Sequence, residues 1–205
     1  MILFRHAQIY DGTGQKPFLG DVLVRNDRIA EVGQNLEVPE DTEILEANGK
    51  LLCPGFIDIH RHADVQPLLN SKSEAEFRQG ITTAVSGNCG FWVRFLAFLR
   101  EYAFERHVVT PEDAICKMTF TPAKRFSFTD RGKIAKGCKA DLLVIDLEVF
   151  TDNADFPGRS EFASGLWRSM IGEFAVKDDA LTSAAPGEFL HAGTGSGFRT
   201  RCDYD

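Results

Sequence analysis

The chain has 205 residues, 43% of them hydrophobic and 26% charged, with a formal net charge of −7. That suits one globular domain, or two small ones sharing a core. The acidic balance, with no basic stretch to offset it, argues against a nucleic-acid partner, and no apolar run approaches the roughly 20 residues of a membrane span.

The opening Met1-Ile2-Leu3-Phe4-Arg5-His6 turns polar too soon for a signal peptide, so a cytoplasmic protein is expected. Residues 2–10 read as a β-strand closed by the turn residues Asp11-Gly12-Thr13-Gly14. Residues 21–25 and 28–32 flank Asn26-Asp27, a tight hairpin signal. Residues 42–46 and 50–53 flank Asn48-Gly49, which predicts a second hairpin. The first fifty residues therefore read as a small antiparallel sheet.

At Pro54-Gly55 the character changes. Residues 56–60 form a short apolar strand, residues 73–79 a helix and residues 80–86 a second β-rich strand. Strand, helix, strand in that order predicts one right-handed parallel unit. In residues 91–106, Phe91, Phe95, Phe98 and Tyr102 recur at helical spacing, as do Trp92, Leu96 and Leu99. This predicts an amphipathic helix packed on a sheet or barrel. Thr110-Pro111-Glu112-Asp113 has the chemistry of a helix start: a hydroxyl cap, proline in the first turn and acids near the positive end of the dipole. Thr121-Pro122 marks a further short turn. Strands return with residues 140–146 and a hairpin over residues 165–176, before a glycine-rich tail beginning at Gly193.

Five cysteines, Cys53, Cys89, Cys116, Cys138 and Cys202, are odd in number and scattered, a poor disulfide framework. The sharpest chemical feature is Asp58-Ile59-His60-Arg61-His62. Alternation along a strand points His60 and His62 the same way, about 7 Å apart, and a bend at the strand end lets both reach one or two metal ions. The ends of parallel barrel strands are where active sites form. Cys89 lies in Ser86-Gly87-Asn88-Cys89-Gly90, just past the second strand. Two readings of it stand: a small buried structural cysteine, or a thiolate that completes an open zinc set with the two imidazoles. His6 and His191 read as surface or packed histidines, His107 as a residue that favours the C-terminal dipole of the charged helix before it, and Asp64 as a solvated or supporting carboxylate.

Three stretches together resemble the amidohydrolase superfamily. Residues 52–62 are similar to its Pro-Gly-Phe-Ile-Asp-x-His-x-His signature on the first barrel strand. Gln79-Gly80-Ile81-Thr82-Thr83 with Gly87-Asn88-Cys89-Gly90 is similar to the N-acyl-D-amino-acid deacylase (D-aminoacylase) branch. Residues 131–146 resemble the return from barrel to small β-domain. The resemblance implies a fold of α/β plus β: a composite β-sandwich from residues 1–54 and 127–205, flanking a truncated (β/α) barrel of residues 55–126. It implies zinc held by His60, His62 and Cys89, and hydrolysis of a small-molecule N-acyl-D-amino acid by a metal-activated water.

A full barrel takes about 250 residues, far more than the span 55–126. The family's two further histidines and its aspartate base find no match, so the general base of this chain is unassigned and hydrolysis is expected to be impaired. Two alternatives stand beside this reading. One is a non-catalytic remnant that acts as a binding module; the other is an incomplete or rearranged chain of a longer deacylase or dihydroorotase-like hydrolase. Exchange of barrel strands in a homo-oligomer would be one way to bury the exposed edges.

Overall fold

The computed structural model describes residues 1–59, 74–85, 99–150 and 165–184. Eleven strands fall within these segments. Nine form one sheet, β1 (Ile2–Ile9), β2 (Phe18–Arg25), β3 (Arg28–Gly33), β4 (Glu43–Glu46), β5 (Leu51–Pro54), β8 (Asp141–Ile145), β9 (Leu166–Ile171), β10 (Glu173–Lys177) and β11 (Ala180–Leu181). Their order is β11-β10-β9-β8-β5-β1-β2-β3, with β4 also on β1. The other two, β6 (Phe56–Asp58) and β7 (Ile81–Ala84), pair with each other.

The hairpin at Asn26-Asp27 forms as the sequence predicts, with Arg25 opposite Arg28 and Asn26 at φ 56°. The segment around Asn48-Gly49 does not form the predicted hairpin. β4 and β5 both run parallel to β1, so the chain jogs there instead of reversing. The cause lies in β1. Its register against β2 passes from Phe4 opposite Val22 to Ala7 opposite Gly20, which leaves one extra residue on β1, and His6 stands at φ 54°. Such a bulge bends the strand and disrupts its ladder. The jog follows it: the Ala47 and Gly49 amides donate to the carbonyls of Arg5 and His6, at 2.8 and 2.7 Å. The buried Asp21 carboxylate accepts the His6 amide at 2.9 Å and the Leu36 amide at 3.0 Å, so the bulge's donor is satisfied.

β5 joins the two ends of the chain. It pairs antiparallel with β8, from Leu51 opposite Ile145 to Pro54 opposite Leu142. Every residue of both strands is buried. Alternation divides them between two cores. Leu51, Cys53, Leu143 and Ile145 enter one cluster; Leu52, Leu142 and Val144 enter the other.

The second cluster lies where the sheet curls on itself. The Ile29 amide donates to the Cys138 carbonyl and the Ala140 amide to the Asp27 carbonyl, both at 2.8 Å, so the β2–β3 turn meets the approach to β8. The first cluster faces the helices. Leu99 and Ala103 come from a helical turn over Leu99–Glu105, and Ala114, Ile115 and Met118 from α2 (Pro111–Met118). The short helices α1 (Glu74–Arg78) and α3 (Phe120–Arg125) are the others among the described residues.

One helix expectation holds and one is refined. α2 starts as its sequence dictates: the Thr110 hydroxyl accepts the Asp113 amide at 3.3 Å and Pro111 opens the first turn. Leu99–Glu105 is a π-helix instead of the expected α-helix, its wider winding marked by the Arg106 amide donating five residues back to Glu101. Residues 91–98, the first half of that expected helix, lie outside the described residues. So does the tail from Gly193.

Candidate functional site

The candidate ligands named from the sequence follow β6 and β7 in the chain. The two strands run parallel, with Phe56 opposite Ile81, Ile57 opposite Thr83 and Asp58 opposite Ala84. The crossover between them includes α1, which is the strand–helix–strand order the sequence predicts. Two glycines make the packing possible. A Cβ on Gly55 would lie 2.1 Å from Thr82 Oγ1, so the chain can turn from β5 into β6 only without a side chain there. Gly80, at φ 74°, lets its carbonyl accept the Phe56 amide at 3.0 Å.

At the far end the Val85 amide donates to the Asp58 carbonyl at 2.8 Å, so the carboxyl ends of the strands are tied side by side. Asp58 is 3% exposed and the next residue, Ile59, 36% exposed; the chain leaves the core within one residue. His60 follows Ile59 directly, and Cys89 follows Val85 by four positions.

His60, His62 and Cys89 themselves, with Asp64 and His191, lie outside the described residues. Among the described residues no three His, Cys, Asp or Glu side chains stand close enough together to hold a metal ion. The donor set expected from the sequence, two imidazoles and a thiolate, fits zinc's preference for nitrogen and sulfur ligands. Two histidines, His6 and His107, are described. His6 is exposed at the β1 bulge, its Nδ1 2.9 Å from Glu46 Oε2. His107 is exposed beyond the π-helix at φ 50°.

Three cysteines, Cys53, Cys116 and Cys138, are described, and all are free. Burial pushes the Cys53 thiol above its ordinary value, as it does Cys138. Cys116 is half-buried, 3.7 Å from Thr121 Oγ1. Burial, reinforced by Glu112, likewise raises the Tyr10 phenol.

One group beneath the strand ends was not singled out from the sequence. Arg131, with a side chain only 6% exposed, donates from Nη1 to Asp141 Oδ2 at 3.1 Å and to Thr83 Oγ1 at 3.4 Å. Its guanidinium joins β7 to β8. Arg131 and Asp141 both fall in the stretch 131–146 that carries part of the family resemblance, but nothing in their spacing announces that they meet.

The amidohydrolase family profile matches residues 63–171. The chain belongs to the amidohydrolase family. Its relatives include N-acyl-D-amino-acid deacylases and dihydropyrimidinases. Over 84 residues it is 40% identical to N-acyl-D-aspartate deacylase of Alcaligenes xylosoxydans xylosoxydans, a match covering 41% of this chain and 17% of the relative. Over 96 residues it is 34% identical to D-aminoacylase of the same organism, covering 47% of this chain and 20% of the relative. This amidohydrolase thus spans about a fifth or less of the length of these relatives. A solved D-aminoacylase structure, described for the functional role of its binuclear metal center, superposes with a TM-score of 0.80 at 14% identity, covering 91% of this chain and 98% of that one. At that identity the likeness shows the shared fold.

No helix among the described residues is long and apolar enough to cross a membrane.

Proposed function

We propose that this amidohydrolase is a zinc-dependent hydrolase of the N-acyl-D-amino-acid deacylase type, with its hydrolytic step impaired, working on a small-molecule substrate in the cytoplasm. The observation that carries the reading is the parallel pairing of β6 with β7, which ties the strand ends preceding His60 and Cys89 side by side through the 2.8 Å bond from Val85 to Asp58. Neighbouring strands lie about 4.8 Å apart. From there two residues of chain reach His60 and four reach Cys89, at up to about 3.5 Å each, which is reach enough for one ion.

In this reading His60, His62 and Cys89 hold the zinc. Zinc in such a set, when bound, would polarise a carbonyl and acidify a water. The chain's own residues supply the rest. The β5–β8 pairing holds the strand ends on a rigid sheet, and Gly55 and Gly80 allow the two parallel strands to seat against it. The domain division that goes with this reading is a composite sandwich of residues 1–54 and 127–205 around a barrel remnant of residues 55–126. The proton-transfer group has no counterpart, which is why hydrolysis is expected to be slow.

The test is metal content of the purified protein, with His60→Ala and Cys89→Ala alongside, followed by hydrolysis of N-acetyl-D-glutamate, N-acetyl-D-aspartate and an N-acetylated neutral D-amino acid. About one equivalent of zinc, lost in both variants and accompanied by slow release of D-amino acid, is the expected result. Zinc retained in both variants would remove these residues from the site. A zinc-free, inactive protein would favour a second reading, a non-catalytic remnant, whose motive is the shortness of the span 55–126.

A further inference from the structure

We propose that Asn48 is a self-modification site, an asparagine whose deamidation is gated by the bulge in β1. It is unreactive while the His6 carbonyl holds the Gly49 amide, and reactive once the jog between β4 and β5 opens. Three observations carry the inference.

The first is the dipeptide. Asn48-Gly49 is the one Asn-Gly in the sequence. Both residues are exposed, and a Cβ on Gly49 would meet nothing within 4 Å. Asparagine is thermally labile because its side-chain carbonyl can be attacked by the amide nitrogen of the next residue. A side chain on that next residue obstructs the approach, and glycine has none. Asn26 and Asn35 also stand at positive φ, 56° and 52°, but Asp27 and Leu36 follow them, which makes them internal controls. In the reaction the Gly49 nitrogen bonds to Asn48 Cγ, the Cγ–Nδ2 bond breaks, and ammonia leaves with the proton of that nitrogen. Water then opens the cyclic imide at either carbonyl, leaving aspartate or isoaspartate at position 48.

The second is the restraint. The Gly49 N–H donates to the His6 carbonyl at 2.7 Å, the short end of the range for such bonds. The nitrogen must give up that proton to attack, so the bond suppresses the reaction. The acceptor belongs to a residue in a costly conformation: His6 is exposed, at φ 54°, and held there by its amide on Asp21 at 2.9 Å and its Nδ1 on Glu46 at 2.9 Å. An exposed turn tied by a few backbone bonds opens locally at less cost than the core.

The third is the consequence. The Ala47 and Gly49 amides reach the consecutive carbonyls of Arg5 and His6, at 2.8 and 2.7 Å. Isoaspartate at position 48 puts an extra methylene into the main chain between those two amides, so both bonds cannot re-form together. Either product also adds a negative charge to a chain whose formal charge is already −7. A transient opening of the jog is thereby converted into an irreversible change.

The experiment is an incubation of the full chain at mildly alkaline pH, in native buffer and in guanidinium chloride that unfolds it. Position 48 is followed by peptide mass mapping with isoaspartyl methyltransferase labelling, and hydrogen exchange of the Gly49 amide is read alongside. Three variants are compared with wild type: Gly49→Ala, His6→Gly and His6→Val. The two His6 variants lose the same imidazole and the same contact with Glu46, but glycine accepts a positive φ and β-branched valine does not. In denaturant every chain except Gly49→Ala is expected to deamidate at Asn48 well ahead of Asn26 and Asn35. In native buffer wild type and His6→Gly are expected to react many-fold more slowly, with the Gly49 amide protected, and His6→Val several-fold faster than His6→Gly. Should His6→Val not fold, wild type at sub-denaturing guanidinium concentrations takes its place: its deamidation should rise in step with Gly49 exchange, before the core unfolds. Equal native rates in the two His6 variants, a Gly49 amide that exchanges freely in wild type, or a native rate equal to the unfolded one overturns the gate. Asn48 left intact in denaturant overturns the site itself.

Discussion

Phe4 of β1 and Phe174 of β10 meet edge to face, ring centroids 6.3 Å apart at 76°. One lies near the start of the chain and the other in its last described hairpin, yet Phe4 is wholly buried and Phe174 nearly so. The contact closes the curl of the sheet over its second core. Aromatic pairs in this geometry add about 0.5–1.5 kcal/mol to the burial of the rings themselves.

Phe4→Ala is therefore expected to destabilise the protein by about 3–5 kcal/mol, the usual cost of deleting a buried phenyl ring. Phe174→Ala should cost less, since that ring lies at the rim of the cluster. A double-mutant cycle in urea gives the coupling between them. A coupling near zero would mean that the two rings pack independently and that the curl is closed by backbone alone.

Gly55→Ala tests the joint between the sheets. Its new methyl would collide with the Thr82 side chain, 2.1 Å from Oγ1 and 2.3 Å from Cγ2. Overpacking of this kind costs about 1–3 kcal/mol, and Thr82→Ala in the same chain should recover a measurable part of it. Gly49→Ala makes a useful contrast. Open space surrounds that position, so any loss there comes from its positive φ of 79° and not from a clash. Equal losses in Gly55→Ala with and without Thr82→Ala would contradict the steric account.

The Lys50–Asp146 pair should make stability depend on acid. Lys50 Nζ lies 2.7 Å from Asp146 Oδ2, and hydrogen bonding to that ammonium holds the carboxyl below its ordinary value. A carboxyl lowered on folding contributes stability above its unfolded value, and the contribution disappears as pH falls through the folded value. Lys50→Met should thus lower stability at neutral pH by about 1 kcal/mol or less, as partly exposed pairs do. The difference from wild type should close below about pH 4. Urea unfolding of both proteins at pH 7 and pH 3 checks this; an equal gap at both values would assign the loss to packing.

Thiol accessibility should separate the cysteines. Cys53 is buried, its thiol raised by burial, and Cys116 is half-buried on α2. In the native protein iodoacetamide should modify Cys116 well before Cys53 or Cys138, with peptide mass mapping to identify the sites. Prompt labelling of Cys53 would show that the β5–β8 pairing opens readily.

Thr110→Ala should lose about 1 kcal/mol through the Asp113 amide it leaves without its cap. Thr110→Asn should keep most of the stability.

How much of this was written in the sequence varies by element. The β2–β3 hairpin and the cap of α2 are local: Asn26 can take the left-handed conformation its turn needs, and Thr110 with Pro111 satisfies its own helix end. The buried strand 141–145 is legible because five consecutive apolar or paired residues have few other places to go. The motifs at residues 52–62, 79–90 and 131–146 point to the amidohydrolase family, to which the chain belongs. The jog at Asn48-Gly49 was not legible. The same dipeptide serves a reversal or a bend, and the choice fell to the bulge at His6, which lies in another strand.

By itself, then, the sequence determined the family, the short-range turns and caps, and the identity of the candidate ligands His60, His62 and Cys89. These depend on residue types at fixed short spacing. Only the tertiary structure decided that β5 joins β8, that β4 and β5 run parallel to β1, and that Arg131 stands between Thr83 and Asp141. Those pairings bring together residues far apart in the chain. They are selected by which faces can be buried at once and which buried charges can find acceptors, and no local pattern encodes either.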